Sequence, residues 1–153
     1  MIASPPCPSL RCGVRTPSAT ECPARTSAAC TRLTNTRNKP VEALERAYPL
    51  RVRALRLRPG TGGAGRWRGG DGIERDLEVL VDATVSLISE RRVSAPWGLD
   101  GGGSGAVGEN WLLPNGEEGA AIRLPDKCTV HLKAGDVIRM RTPGGGAWGR
   151  PAI

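Results

Sequence analysis

Ser89-Glu-Arg-Arg-Val-Ser-Ala-Pro-Trp-Gly-Leu-Asp-Gly-Gly-Gly-Ser-Gly-Ala-Val-Gly108 is the stretch around which this chain is organised. Two adjacent arginines and a Pro-Trp-Gly turn precede residues 101–108, where five of eight positions are glycine. Ordering such a segment is costly, because glycine loses more backbone freedom on folding than any other residue. Loops of this kind are retained where a backbone must come close to a ligand or to another backbone. The apolar runs on either side therefore read as strands that frame a glycine loop.

Outward from it, the same alternation of short apolar runs and turn residues recurs. Strands are expected at Leu50–Arg58, Ile73–Val81, Thr84–Glu90, Asn110–Leu113, Ala120–Leu124, Cys128–Lys133 and Val137–Arg141, each bounded by Gly, Pro, Asn or Asp. Ala134-Gly-Asp136 and Pro114-Asn-Gly116 read as turns between strands. Lys39-Pro-Val-Glu-Ala-Leu-Glu-Arg-Ala47 suits a short helix, with proline in its first turn, two glutamates near its positive end, and Tyr48-Pro49 to stop it. The fold class is thus mainly β, with short antiparallel strands in a meander or sandwich, one short helix before them, and glycine-rich loops. Residues 1–33 show neither period and are rich in Pro, Ser, Thr, Arg and Cys, so a disordered tail is expected there.

Composition narrows the function classes. The 153 residues include 21 glycines, about twice the usual share of ~7%, and aromatics make up only 3%. One domain is the default at this length. No run of 18 apolar residues exists to span a membrane, and no apolar signal segment opens the chain, so a cytoplasmic protein without a membrane partner is expected. The net charge of +7 is concentrated in residues 1–40, with six Lys/Arg against Glu21 alone, while residues 41–153 hold sixteen against fourteen. Arg51-Val-Arg-Ala-Leu-Arg-Leu-Arg58 is the one candidate basic stretch, but its arginines change phase between 53 and 56 and so should not line one face. A solvated, ion-paired strand is the expectation, with no nucleic-acid partner.

Cys7, Cys12, Cys22 and Cys30 lie in the tail at gaps of five, ten and eight, with no histidine among them, and Cys128 stands apart. That spacing suits neither a zinc site nor a disulfide framework for the folded part, so no metal site is expected. His131, the single histidine, falls three residues from Cys128, on the opposite face of a strand, and should point to solvent. The carboxylates read as scattered, with Glu90 beside Arg91 and Arg92 as an ion pair at a strand end. Gly60-Thr-Gly-Gly-Ala-Gly65 formally matches a dinucleotide fingerprint, but Arg66-Trp-Arg-Gly-Gly-Asp-Gly72 follows it in place of a helix. A glycine turn closed by Trp67 is the better reading. Thr142-Pro-Gly-Gly-Gly-Ala-Trp-Gly149 has similar chemistry, and its glycine amides could receive an anion or a carbonyl oxygen.

Taken in order, several of these segments resemble the C-terminal part of the hydantoinase B/5-oxoprolinase family. They are Thr34-Asn-Thr-Arg-Asn38 with Pro40-Val-Glu-Ala-Leu-Glu45, Tyr48-Pro-Leu-Arg51, Gly62-Gly-Ala-Gly-Arg-Trp-Arg-Gly-Gly70, Ser89-Glu-Arg-Arg92 with Pro96-Trp-Gly98, and Thr142-Pro-Gly-Gly-Gly146. The resemblance spans residues 34–151, and it implies that residues 34–153 are the C-terminal fragment of a longer domain. It also implies ATP-dependent cleavage of a cyclic amide such as a hydantoin or 5-oxoproline, in which a hydantoinase A-like partner phosphorylates the ring oxygen and the B-like part completes hydrolysis. ATP, with a divalent metal, belongs to the complete enzyme, and this fragment itself is expected to bind no cofactor and to be inactive alone. No catalytic residue is assigned. Candidates for lining the substrate or the interface are Asn35, Arg37, Asn38, Arg91, Arg92, Trp97, Gly98, Gly144, Gly145 and Gly146, with Arg91 and Arg92 as anion contacts. The alternative is a non-catalytic β domain that docks onto the A-like subunit. The family's Gly-Val-His-Thr before Thr-Asn-Thr is replaced here by Ala28-Ala-Cys-Thr-Arg32. Codons for Gly-Val-His-Thr read one base later can give Ala-Cys-Thr-Arg, so the first 32 or so residues are expected to be a shifted-frame tail.

Overall fold

The computed structural model describes residues 40–150. Helix α1, Val41–Ala47, places Glu42 in its first turn and Arg46 in its last, the arrangement the helix dipole favours. It ends where Tyr48 turns extended, its N–H still bonded to the Leu44 carbonyl. Seven strands follow at the expected places: β1 Leu50–Arg58, β2 Gly72–Val79, β3 Ala83–Ile88, β4 Glu109–Leu113, β5 Ile122–Leu124, β6 Lys127–Leu132 and β7 Val137–Arg141. All pair antiparallel, in a five-stranded sheet of order β1-β2-β7-β4-β5 and a two-stranded sheet of β3 and β6.

The two faces of the larger sheet differ in chemistry because β2 alternates strictly. Ile73, Leu77 and Val79 share a face with Ile138, Met140, Leu112 and Leu124 across the ladders. The smaller sheet packs on this face, and Val79, Leu87, Leu132 and Ile138 form the buried centre of the core, with Leu50, Val85, Cys128 and Val130 around them. Each of the four buried side chains stabilises the fold by about 1.5–3 kcal/mol. The opposite face carries Glu74, Asp76 and Glu78 from β2, only 5–7% exposed, among arginines of β1 and β7.

One local feature departs from the sequence reading. A β-bulge between Val52 and Ala54 shifts the β1–β2 register, pairing Arg51 with Glu78 before it and Arg56 with Glu74 after it. The extra residue, Arg53, bonds both carboxylate oxygens of Glu78. The change of phase along β1 is therefore cancelled by the bulge, and its arginines do line one face, with Arg51 and Arg53 paired to Glu78 and Arg56 to Glu74. Ala134-Gly-Asp136 is a turn between strands as expected, with Gly135 at φ +95, and it carries the chain from β6 in one sheet to β7 in the other. Pro114–Gly116 is a 3-10 turn between β4 and β5, with Asn115 and Gly116 both left-handed.

Candidate functional site

Three loops meet at one end of the larger sheet. The ladder dictates this: Arg58 leaving β1 faces Gly72 entering β2, and Arg141 leaving β7 faces both Glu74 and Glu109 at the start of β4. Residues 59–71, 89–108 and 142–150 therefore share the space beyond these strand ends. They fill it with backbone. Gly63 N–H donates to Gly145 O, Gly145 N–H to Gly70 O, Gly103 N–H to Ala64 O, Ala147 N–H to Gly103 O, Ala106 N–H to Thr61 O and Gly144 N–H to Ala106 O, all at 2.7–2.9 Å. Trp67 and Trp148 exchange a pair of 3.0 Å bonds, and Leu99 joins Trp148 on its other side.

The segments lie so close that side chains are excluded. A Cβ added at Gly105 would stand 2.6 Å from Gly144 O, one at Gly102 would meet the Ala147 carbonyl carbon at 2.6 Å, and one at Gly144, Gly69 or Gly98 would run into the carbonyl of Thr61, Gly145 or Gly102. Glycine here serves backbone-to-backbone packing. The sequence reading offered the amides of the last loop to an anion, whereas those of Gly144 and Gly145 are bonded to carbonyls of the other two loops. The formal dinucleotide fingerprint is likewise a partner strand of this cluster, with the Gly62 amide on Asp71 Oδ1 at 3.0 Å. Trp67, expected to close this turn, pairs its backbone with that of Trp148.

The adjacent arginines of the central loop do different things. Arg91 sits at φ 60 with its guanidinium 4.5 Å above the ring centroid of Trp97, a cation–π stack on a tryptophan that is 53% exposed. Arg92 turns inward. Its Nε and Nη2 donate to Asn110 Oδ1 at 3.2 and 3.0 Å, and its Nη1 to the Glu90 carbonyl at 2.6 Å. Asn110, 1% exposed, donates in turn to Ser89 Oγ at 2.8 Å and to Pro125 O at 3.2 Å. Arg92 thus ties the loop to β4 and to the turn before β6. Burial lowers the pKa of Arg92, and the nearby charge of Arg58 lowers it further. Arg58 is itself lowered by burial while its Nη1 bonds Thr142 O at 2.5 Å. Glu90 spans 3.3 Å to Lys127, so its carboxylate pairs across to β6 and not with its sequence neighbours.

The acidic row on β2, which reads as scattered carboxylates in the sequence, is the second feature of the site. Arg139 is held bidentate by Asp76 at 2.9 and 2.8 Å, and it also bonds Glu118 from the turn after β4. Arg141 bridges Glu74 at 2.6 Å and Glu109 at 3.3 Å. Bonds from Asp76 and Glu118 raise the Arg139 pKa well above its usual value. For Glu74, burial pushes the pKa up, but the bonds from Arg141 and Arg56 outweigh it and leave it below the glutamate range. Arg53 lowers Glu78 directly. A shallow cavity of about 190 Å³ opens beside the row, lined by Trp111, Leu113, Glu118, Ala121, Arg139 and Arg141. The signal for the row was present as Glu-x-Asp-x-Glu, three acids at period two within a strand.

Of the ten candidate residues, Arg91, Arg92, Trp97, Gly98 and Gly144–Gly146 come together at the loop end of the sheet, while Asn35, Arg37 and Asn38, like the tail cysteines, lie outside the described residues. His131 is exposed and bonds Thr84 Oγ1 at 2.9 Å on the smaller sheet, away from the loops. Among the described residues no group of three His, Cys, Asp or Glu is placed to hold a metal ion, and no helix is long and apolar enough to cross a membrane.

Comparison with known proteins places this geometry. The sequence profile described as hydantoinase B/oxoprolinase matches residues 19–151, starting inside the segment expected to be a shifted-frame tail. The chain is 41% identical to 5-oxoprolinase 1 of Arabidopsis thaliana over 124 residues, covering 81% of this chain and 10% of that protein. It is 39% identical over 118 residues to the B-type subunit of a putative D-/L-hydantoinase of Pseudomonas sp. NS671, covering 76% of this chain and 20% of the relative. The fold matches that of the ATP-dependent caprolactamase from Pseudomonas jessenii with a TM-score of 0.64 at 22% identity, over 74% of this chain and 20% of that one. The chain spans about a tenth to a fifth of the length of the curated relatives it matches.

Proposed function

The chain belongs to the hydantoinase B/oxoprolinase family, and on that premise we propose that it supplies one part of the machinery for ATP-dependent hydrolytic ring opening of a cyclic amide. A hydantoin or 5-oxoproline is the substrate class, a hydantoinase A-like protein is the partner, and the cytoplasm is the setting. An amide in an unstrained ring is a poor electrophile, and phosphorylation of its oxygen on the partner would provide a leaving group. The described residues fit neither a nucleotide nor a metal. They offer no cluster of metal-ligating side chains, and the amides of Gly63, Gly69, Gly144 and Gly145 are already bonded to carbonyls. No step toward ATP or a metal is therefore assigned to them.

What these residues supply is a closely packed platform with the Arg91 guanidinium stacked on Trp97 at its surface. The observation that carries the reading is the convergence of all three glycine loops at one end of the sheet, with Arg91 stacked on Trp97 beside them. The stack fixes one face of the guanidinium and leaves its edge to meet a carboxylate or phosphate oxygen. Arg92 is a positioning residue, since its donors hold Asn110 and the Glu90 carbonyl. Gly98 and Gly144–Gly146 shape the platform. The relatives are five to ten times longer than the matched span, so the remaining groups come from polypeptide beyond it.

The test transplants residues 34–151 into the matched span of the Pseudomonas hydantoinase B-type protein, with its A-like partner co-expressed. Release of ring-opened product from hydantoin or 5-oxoproline is then followed with and without ATP. Turnover that needs ATP, and that falls at least tenfold in R91A while R91K recovers part of it, supports the reading. A folded hybrid that binds its partner without turnover reduces the role to docking.

A further inference from the structure

We propose that the outer edge of β1, with the apolar strip beside it, receives a β-strand from the part of a hydantoinase B-type polypeptide that lies beyond the matched span. The inference rests on family membership and not on the ring-opening reading. β1 is nine residues long and forms the edge of the five-stranded sheet. Glu45 of α1 takes the Val52 amide at 2.8 Å. From Arg53 to Leu57, no described residue other than those of β2 bonds the backbone. A long, unpaired edge of this kind is a template for a further strand.

The side chains mark the same place. Leu55 and Leu57 lie across from Arg75 and Ile73, hence on the core face of the sheet, yet they are 51% and 57% exposed. The smaller sheet covers the other end of that face and leaves this one open. Between the two leucines and Met140, Arg75 has its Nε buried without a hydrogen-bond partner among the described residues. A buried guanidinium nitrogen calls for an acceptor, so the missing strand brings apolar residues together with a carboxylate or carbonyl.

The occupant follows from charge and length. β1 holds four arginines and no acid. A second copy pairing antiparallel about Arg56 would set Leu55 against Leu57 but Arg56 against Arg56, and like charges directly opposite destabilise a ladder. A strand carrying acids has no such conflict. This chain spans only 20% of the Pseudomonas relative and 10% of the Arabidopsis one, so most of a family-length polypeptide is available to provide it.

The experiment mixes the whole 153-residue chain with the Pseudomonas hydantoinase B-type protein from which the matched span has been deleted. Complex formation is read by native mass spectrometry, and amide exchange is followed along β1. A 1:1 complex is expected, with exchange of the amides among residues 54–57 that face away from β2 slowed at least tenfold. L55E/L57E should weaken it at least tenfold, and I88E, on the exposed face of β3, should leave it unchanged. Should the double variant lose its thermal melt, L57Q alone decides. No complex, a complex indifferent to these leucines, or β1 amides already protected in the free chain by residues 1–39 or by a second copy would each overturn the proposal. Turnover does not enter, so failure here leaves the ring-opening reading standing.

Discussion

Replacing Gly105 with alanine adds a single methyl group at a buried position, and the loop cluster sets its cost. The new Cβ would lie 2.6 Å from Gly144 O, 2.7 Å from Gly144 C and 2.7 Å from Gly145 O, all backbone atoms, where ordinary contact begins at 3.4 Å. The 144–145 segment would have to retreat by about 0.8 Å. That movement pulls on two bonds, Gly144 N–H to Ala106 O at 2.9 Å and Gly145 N–H to Gly70 O at 2.8 Å. Overpacking costs about 1–3 kcal/mol, and weakening two hydrogen bonds adds roughly 1 kcal/mol. Against this, alanine lowers the entropy of the unfolded chain, worth about 0.4–1 kcal/mol. The net expectation is a loss of about 2–3 kcal/mol, which at urea m-values of about 1–3 kcal/mol/M lowers the midpoint by roughly 1–2 M. Two controls separate crowding from backbone preference. Gly60 has nothing within 4 Å but sits at φ +81, so G60A should cost about 1 kcal/mol for left-handed backbone. Gly119 has nothing within 4 Å and no such backbone angle, so G119A should be neutral or slightly stabilising. If urea melts put G105A within about 0.5 kcal/mol of G119A, the idea that these loops are locked by mutual backbone contact is wrong.

The charged face gives further expectations. Glu74, with Arg56 and Arg141 bonded to it and only 5% exposed, should cost about 2–4 kcal/mol as E74Q, since two guanidinium groups lose a buried counter-charge, and guanidinium chloride melts measure this. E118Q, at a carboxylate that is two-thirds exposed, should leave the same melts nearly unchanged. Glu74, Glu78 and Glu109 all have folded pKa values below the ordinary glutamate value, so the unfolded chain binds more protons and stability rises with pH through that window. Stability should accordingly hold above about pH 4.5 and drain away as the pH falls below the glutamate range of about 4.3, and the E74Q deficit should shrink in parallel, as melts from pH 7 to pH 3 would show. N110L should cost about 2–4 kcal/mol by stranding the donors of Arg92 and the Ser89 hydroxyl, whereas S89A should cost about 1 kcal/mol, both read by thermal melts.

How much of this was legible follows from which signals are local. All seven strands and the helix stand within a few residues of their expected places, because turn residues punctuate the chain and one face of each strand is apolar. Arg91 and Trp97, six residues apart, could be placed on one loop, and their stacking is the geometry such a turn permits. Other features depend on what lies across a ladder. Nothing in Arg51–Arg58 alone announces a bulge at Arg53, where a second arginine joins Arg51 on Glu78 across the ladder. The acids of β2 look scattered until Arg139 and Arg141 arrive from 63 and 67 positions away. Glycine amides look available in a sequence because the carbonyls that take them, such as Gly70 O for Gly145, belong to loops far off along the chain.

The order of the strands has a consequence for how the protein is made. β7, the last of the seven to leave the ribosome, is the middle strand of the larger sheet. Until it emerges, β2 has no neighbour on one side and its row of carboxylates lacks two cationic partners, while β4 and β5 form a detached hairpin. Folding during synthesis can therefore secure the β1–β2 pair early but must wait for β7 to join that pair to the β4–β5 hairpin.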